Sequence, residues 1–334
     1  MDYLENDLYV SDLLRAASSI PVEKITGKTF LVTGASGLIG SCVVDMLLLL
    51  NKQYKANITI YVAGRDVSRL DKRFDIQNTE GIVGISYDAT KEISFDFQAD
   101  FIIHCASNAS PEKYVQEPVD TMLSNFVGMY NILGYARKIH AQKTIYVSSS
   151  EVYGKTNSAL PILETEYGFS DILNVRSSYN SSKRATETLC ISFWKQYAVP
   201  VSIVRPGHIY GPTSTIRDNR ISSAFAMASA RGENLEMKSA GTQIRSYCYC
   251  VDCASAILWT LLFGDNGEAY NISNKDSIIT IKQMAEILAK AGGVTLCQTI
   301  PDAEAQKQFN PMDNSSLNSK KLEALGWRGF FTAE

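Results

Sequence analysis

The sequence is poor in histidine, with three among 334 residues, and only three of its seven scattered cysteines cluster, Cys248, Cys250 and Cys253. No histidine lies near that cluster, and Cys248-Tyr-Cys250 alternates as a strand does. Free cysteine behaves as a small buried hydrophobe, so the cluster reads as core rather than as a metal centre. Runs of lysine or arginine are absent and the net charge is −3, which argues against a nucleic-acid surface. The first residues, Met1-Asp-Tyr-Leu-Glu-Asn-Asp7, lack the basic and apolar regions of a signal peptide. The longest apolar run, residues 46–50, is far too short to cross a bilayer and reads as buried helix. A cytoplasmic protein with no membrane partner is expected. Internal repeats and low-complexity segments are absent too, which argues against a repeat architecture.

What is present is ordinary for a soluble enzyme: 45% hydrophobic and 20% charged residues, in a chain long enough for one large α/β domain with a smaller one appended. Residues 1–26 read as a short helical arm broken at Pro21. Strands are expected at 28–33, 58–63, 81–87, 100–104, 143–148 and 201–205, with helices at 41–50, 121–138 and 178–197. This alternation predicts a Rossmann-type, doubly wound parallel sheet wrapped by helices on both faces, over residues 27–205. Beyond Tyr210 the rhythm weakens. Helices at 222–231 and 282–291 fall in a smaller α/β portion, residues 206–334, which is expected to cap the substrate and return some segments to the sheet.

Thr33-Gly-Ala-Ser-Gly37-Leu-Ile-Gly40 follows the first strand and opens a helix, so backbone amides at a helix N-terminus can face a pyrophosphate. Gly34, Ser36, Gly37, Leu38, Ile39 and Gly40 are the expected cofactor contacts there. In such folds the second strand ends in a carboxylate when the adenosine ribose carries no phosphate. Here it ends Val62-Ala-Gly64-Arg65-Asp66, with Gly64 in the carboxylate's place. An arginine such as Arg65 can pair with a 2′-phosphate and stack on adenine, which favours NADP over NAD. Asp66 would restore NAD binding if the register were shifted by a residue or two. Asp88, after the third strand, and Ala106 and Ser107, after the fourth, complete the expected cofactor contacts. His104 reads as structural and Cys105 as buried.

Tyr179 and Lys183 share one helical face in Ser177-Ser-Tyr-Asn-Ser-Ser-Lys183. A lysine ammonium favours the ionised phenol, so Tyr179 is expected to act as base or acid near neutrality. Alone the pattern is weak: with seventeen tyrosines, chance supplies a match roughly once in two or three such chains. Its weight comes from the glycine loop and from Tyr146-Val-Ser148-Ser-Ser-Glu151-Val-Tyr-Gly154 between the two. Serines at the end of an apolar strand can hold a substrate hydroxyl beside the tyrosine. Glu151 is either a solvent-facing loop residue or a crevice carboxylate that moves protons on the substrate.

The order of Thr33-Gly-x-x-Gly-x-x-Gly40, Ser149 and Tyr179-x-x-x-Lys183 resembles the extended short-chain dehydrogenases/reductases that modify nucleotide sugars. The resemblance runs over about residues 27–327 and includes Arg205-Pro-Gly-His-Ile-Tyr-Gly-Pro212, Gly241-Thr-Gln-Ile-Arg245-Ser-Tyr and Tyr270-Asn-Ile272. Within that branch, three segments are similar to UDP-glucuronate decarboxylases. They are His104-Cys-Ala-Ser-Asn-Ala-Ser-Pro-Glu-Lys-Tyr114, Ser149-Ser-Glu151-Val-Tyr-Gly154 and Tyr179-x-x-x-Lys183-Arg-Ala-x-Glu187-Thr-Leu.

The resemblance implies that Ser149 holds the substrate C4 oxygen, Tyr179 takes its proton, and Lys183 tunes Tyr179 and binds the nicotinamide ribose. Ser150 and Glu151 would sit by the C5 substituent, His208 near the phosphates, and Arg245 at the diphosphate or near C5. Hydride loss from C4 gives a 4-keto sugar, the electron sink for decarboxylation, elimination, epimerisation or reduction. Dehydration is disfavoured, because Ser150-Glu151 stands where 4,6-dehydratases carry an Asp-Glu pair. An NADPH-dependent 4-keto reductase or a 4-epimerase is the alternative. The resemblance also implies a homodimer, with helices 121–138 and 178–197 forming a four-helix bundle, and a role in surface-polysaccharide precursors. A non-catalytic dinucleotide sensor would typically lose the Tyr or Lys, and an RNA-binding relative has no basic face to support it here.

Overall fold

Apolar, β-branched segments become strands buried on both faces, as a parallel sheet requires. The computed structural model describes residues 3–299 and 312–334, except Ala109, Ile216, Arg217 and Asn219. Ala109 of the decarboxylase-like segment therefore lies outside the described residues. The first strands are β1 (Thr29–Thr33), β2 (Thr59–Gly64), β3 (Ile82–Ser86), β4 (Phe101–His104), β5 (Lys143–Val147) and β6 (Val201–Pro206). They are followed by β7 (His208–Tyr210), β8 (Leu235–Met237), β9 (Ile244–Tyr249), β10 (Ala269–Ile272), β11 (Ile278–Thr280), β12 (Leu296–Gln298) and β13 (Asn314–Ser315).

Seven of these form one sheet in the order β10-β6-β5-β4-β1-β2-β3, with every pair parallel. The order reverses between β1 and β4, which opens a ligand crevice at the carboxyl ends of those strands. The smaller α/β portion contains the sheet β11-β9-β13, with β7 also paired to β9, and the pair β12-β8. β10 returns from it to the edge of the large sheet.

The helices in the first half are α1 (Asp7–Ala17), α2 (Leu38–Tyr54), α3 (Val67–Phe74), α4 (Pro111–Gln116) and α5 (Pro118–Ile139). Those described in the second half are α6 (Ser177–Tyr197), α7 (Ile221–Ala230), α8 (Cys250–Phe263), α9 (Ile281–Gly292) and α10 (Lys320–Ala324). One core joins α1, α2 and α8 to one side of the sheet, and a second joins α5 and α6 to the other. No described helix is long and apolar enough to cross a membrane.

Three features differ from the sequence expectation. The glycine-loop helix begins at Leu38 rather than Ser41, so Gly40 lies inside its first turn. α3 was not expected: it is a short, mostly polar helix, capped by Asp66 and anchored in the core by Leu70 and Phe74. α8 was also missed, because it is buried almost all round and shows no amphipathic period. Cys248 lies on β9, whereas Cys250 starts α8 and Cys253 follows a turn later, all three as buried free thiols. Among the described residues no group of three or more His, Cys, Asp or Glu is placed to hold a metal ion. The N-terminal helix is docked rather than projecting, with Tyr9, Leu13, Ala16 and Ala17 in the main core. The Tyr9 hydroxyl donates to Asp45 of α2 at 2.8 Å.

Candidate active site

β1 delivers the chain to Gly34, whose φ is +65°. A Cβ there would stand 2.7 Å from the Ala106 nitrogen and 2.8 Å from its Cα. The loop after β4 thus lies directly on the glycine turn, and only glycine fits. A Cβ on Gly40 would come within 2.5 Å of the Gly34 carbonyl oxygen. The α2 cap residue, Gly37, offers no side-chain hydrogen bond, which leaves the first-turn amides of the helix for an anion. Thr213 donates its hydroxyl to the Leu38 carbonyl at 2.8 Å, tying the substrate-side loop to this helix end. Ser107 donates to Asn125 at 2.7 Å, and Asn125 donates onward to Ser182 at 3.0 Å, linking the β4 loop to α5 and α6. A cradle that a Cβ would fill, beside an uncapped helix N-terminus, fits a dinucleotide pyrophosphate.

At the adenosine end, β2 closes on Gly64 and Arg65 is exposed. A Cβ on Gly64 would make only ordinary contact with Leu70, at 3.5 Å. Packing does not demand glycine here; what the position lacks is a carboxylate. Asp66 does not replace it. Its carboxylate accepts the Ser68 hydroxyl at 2.7 Å and the amides of Ser68 and Arg69 at 3.0 and 3.3 Å, which hold it below the usual carboxylate range. Asp88 is occupied in the same way, accepting the Thr90 amide and hydroxyl at 3.0 and 2.8 Å.

α6 sets Tyr179 and Lys183 one turn apart, both buried. The Lys183 ammonium donates to the Val147 carbonyl at 2.8 Å, at the end of β5. It lies 4.8 Å from the ring centroid of Tyr146 and 5.7 Å from that of Tyr179. Burial lowers Lys183 to about 8. Tyr179 is pushed up to about 12, by burial first and by the Glu151 charge second, while hydrogen bonds with Ser149 and Tyr114 act the other way. Lys183 is fixed on a backbone carbonyl, and desolvation is the largest influence on the Tyr179 hydroxyl.

Ser149 caps the short 3₁₀ turn Ser150–Tyr153, its Oγ accepting the Glu151 amide at 3.2 Å. Ser150 is buried. Glu151 is neither freely solvated nor free to act alone. Both Arg176 terminal nitrogens reach its carboxylate, each at 3.2 Å. Tyr114 of α4 stacks on Tyr179, and α4 is held to α6 by the Ser178 hydroxyl, which donates to the Tyr114 carbonyl at 3.0 Å.

On the substrate side, β7 lies beside β9, with His208 opposite Tyr247. The buried Nδ1 of His208 has no partner among the described residues. Burial, then Arg245 and Arg220, push this imidazole down to about 3. Arg245 is 3% exposed and, among the described residues, donates only to its neighbour's carbonyl, that of Ile244, at 2.9 Å. Arg220 is ion-paired with Asp218, whose carboxyl is held at about 2 against its burial. Among the described residues Glu151 and Asp313 bear on Arg245 by charge but no carboxylate is ion-paired with it, so this buried guanidinium beside a neutral imidazole is suited to an anion.

His104 hydrogen-bonds Thr33 through Nδ1 at 2.8 Å, and its buried Nε2 has no partner among the described residues. Arg205 and Glu187 of the family-like segments are structural. The guanidinium forks the carboxylate at 3.0 and 2.6 Å and also donates to Tyr153, Tyr167 and the Glu164 carbonyl. Arg176, Arg220 and Tyr114 are site residues beyond those expected from the sequence. Tyr114 was visible inside a family-like segment, but neither arginine sits in a periodic pattern.

The family model described as the NAD dependent epimerase/dehydratase family matches residues 30–273. UDP-glucuronic acid decarboxylase 6 of Arabidopsis thaliana is 33% identical over 307 residues, covering 89% of this chain and 83% of its own. Among solved structures, the UDP-N-acetylglucosamine 4-epimerase of Methanobrevibacter ruminantium M1, in complex with UDP-N-acetylmuramic acid, gives a TM-score of 0.77 at 21% identity, over 91% of this chain and 93% of its own. The dTDP-glucose 4,6-dehydratase DesIV of Streptomyces venezuelae, with NAD and TYD bound, gives 0.77 at 21% identity, over 91% and 92%. The two structures establish the shared fold, and the family model together with the decarboxylase relative goes further: this chain belongs to the NAD dependent epimerase/dehydratase family.

Proposed function

We propose that this protein oxidises C4 of a nucleotide sugar and, through the 4-keto sugar, decarboxylates a UDP-glucuronate-type substrate. The observation that carries this reading is the convergence of Ser149, Tyr179 and Lys183 beside the glycine cradle, with Arg245 near enough to bear on Glu151 by charge. A bound nicotinamide supplies the hydride acceptor. The chain's own residues do the rest. Ser149 orients the C4 hydroxyl, Tyr179 takes its proton, and Lys183, held on Val147, fixes the tyrosine's surroundings. A C5 carboxylate is then β to the C4 ketone. The C5–C6 bond electrons flow toward the C4 oxygen, held by Ser149 and Tyr179, as CO₂ departs. Arg245 orients the carboxylate or the diphosphate.

Gly64, exposed Arg65 and the occupied Asp66 carboxylate support NADP as the dinucleotide. That same strand end favours a second reading, an NADPH-dependent 4-keto reductase. An apolar stripe of Val119, Met122, Leu123, Phe126 and Tyr130 is exposed on α5 beside α6, and it supports a homodimer through these helices.

Incubation with UDP-glucuronate and either dinucleotide separates the two reactions. Release of CO₂ with a UDP-pentose product supports decarboxylation. Absence of CO₂, with NADPH consumed by an NDP-4-keto-6-deoxy sugar, supports the reductase.

A further inference from the structure

Arg176 stands at the N-terminal end of α6, three residues before Tyr179, and its Nη1 and Nη2 each lie 3.2 Å from a Glu151 oxygen. Both side chains are 19% exposed, so the pair is largely withdrawn from water. A two-pronged guanidinium–carboxylate contact fixes plane as well as distance. The Glu151 backbone is held too, its amide bonded to Ser149 Oγ at 3.2 Å. The carboxylate is thus pinned from two sides in a position where its charge bears on Tyr179.

We propose that Arg176 is a positioning residue for proton removal at C4. By forking Glu151 it fixes that carboxylate beside Tyr179 and offsets its charge, so that Tyr179 can release its proton and recover it. This rests on the C4-oxidation reading.

The other groups around Tyr179 do not duplicate the role. Ser149 and Glu151 face it from the turn after β5, Tyr114 from α4, Lys183 from α6 and Arg220 from the segment before α7. Arg220 is paired with Asp218, and Lys183 is bonded to the Val147 carbonyl. Arg245 of β9 bears on Glu151 by charge and on His208 of β7, and is hydrogen-bonded to the Ile244 carbonyl. Among the described residues Arg176 is the cation hydrogen-bonded to Glu151. Its removal leaves a negative charge beside the phenol without its bonded counter-charge, which disfavours the phenolate.

The test is the pH dependence of C4 oxidation in a single turnover, followed as nicotinamide reduction after mixing the dinucleotide-loaded enzyme with UDP-glucuronate. Arg176→Met should move the acid limb of the profile upward by about one pH unit, a loss of roughly tenfold on that limb. Arg176→Lys, which restores charge but not the fork, should recover most of the shift. In Arg176→Met/Glu151→Gln the limb should return to that of Glu151→Gln alone, because the charge to be offset is gone. Circular dichroism and thermal midpoints establish that each variant is folded. An unmoved limb in Arg176→Met with a raised KM would make Arg176 a substrate contact and overturn the proposal. A limb still displaced in the double variant would overturn it as well. If the wild type leaves UDP-glucuronate and other nucleotide sugars unoxidised, the C4 reading fails and takes this role with it.

Discussion

The ring of Tyr114 lies on the ring of Tyr179, with centroids 4.3 Å apart and planes 11° from parallel. Two phenols from separate helices thus share one wall of the site, and burial pushes both upward. Stacking of this kind contributes about 0.5–1.5 kcal/mol beyond area burial. Tyr114→Phe keeps the ring and removes one hydroxyl, and should lower kcat/KM by roughly tenfold, the worth of a single hydrogen bond. Tyr114→Ala also removes the wall and should lower it by about a hundredfold. Steady-state kinetics of the two variants, compared at one pH, checks the order.

Tyr179→Phe should abolish turnover while dinucleotide binding, measured by calorimetry, is retained. The wild-type pH profile carries a sign. A phenol at about 12 is mostly protonated at neutral pH, and a base must be deprotonated to act. The rate of C4 oxidation should therefore rise with pH across the neutral range, by about tenfold per unit when no other group titrates. A flat profile between about pH 6 and 9 would contradict Tyr179 as the base.

His104 bears on stability rather than on chemistry. Its imidazole is 1% exposed and is pushed from 6.5 down to about 3, by burial first and by the Lys183 charge second. The unfolded chain binds the extra proton below about pH 6.5 while the folded chain refuses it until about pH 3. The stability this contributes is fully present above pH 6.5 and is lost as pH falls toward 3, by about 2 kcal/mol at pH 5. Urea midpoints at pH 7.5 and pH 5 should show the fall, and a folded His104→Asn variant should show less of it.

Arg65→Ala should weaken NADP by roughly tenfold to a hundredfold, the worth of a charge-assisted hydrogen bond, and leave NAD nearly unchanged. Binding of each dinucleotide, followed by protein fluorescence, checks this. Equal losses for both would show that Arg65 stacks on adenine without reading the 2′-phosphate.

The doubly wound sheet was legible in the sequence because parallel strands buried on both faces are rich in apolar and β-branched residues, as TFLVT of β1 is, and because helices fall between them. The glycine cradle and the Tyr179–Lys183 spacing were legible because each is a local pattern of a few residues. α8 was not, since burial on all sides erases its period, and α3 was not, since its two buried residues, Leu70 and Phe74, are too few to mark a period. Arg176 pairs with Glu151 across 25 positions, and no pattern within a short window contains both.

By itself, then, the sequence determined the glycine turn after β1, the tyrosine–lysine face and the absence of a carboxylate at the end of β2. These follow from backbone sterics and helical periodicity, which act over a few residues. Tertiary structure decided the electrostatics. It turned Asp66 into a helix cap, gave Glu151 a guanidinium partner, buried Arg245 with a backbone carbonyl as its hydrogen-bond partner, and fixed Lys183 on a carbonyl while burial raised Tyr179. The reason is physical: charge and desolvation depend on distance in space and on access to water, and both exist only once distant segments have packed together.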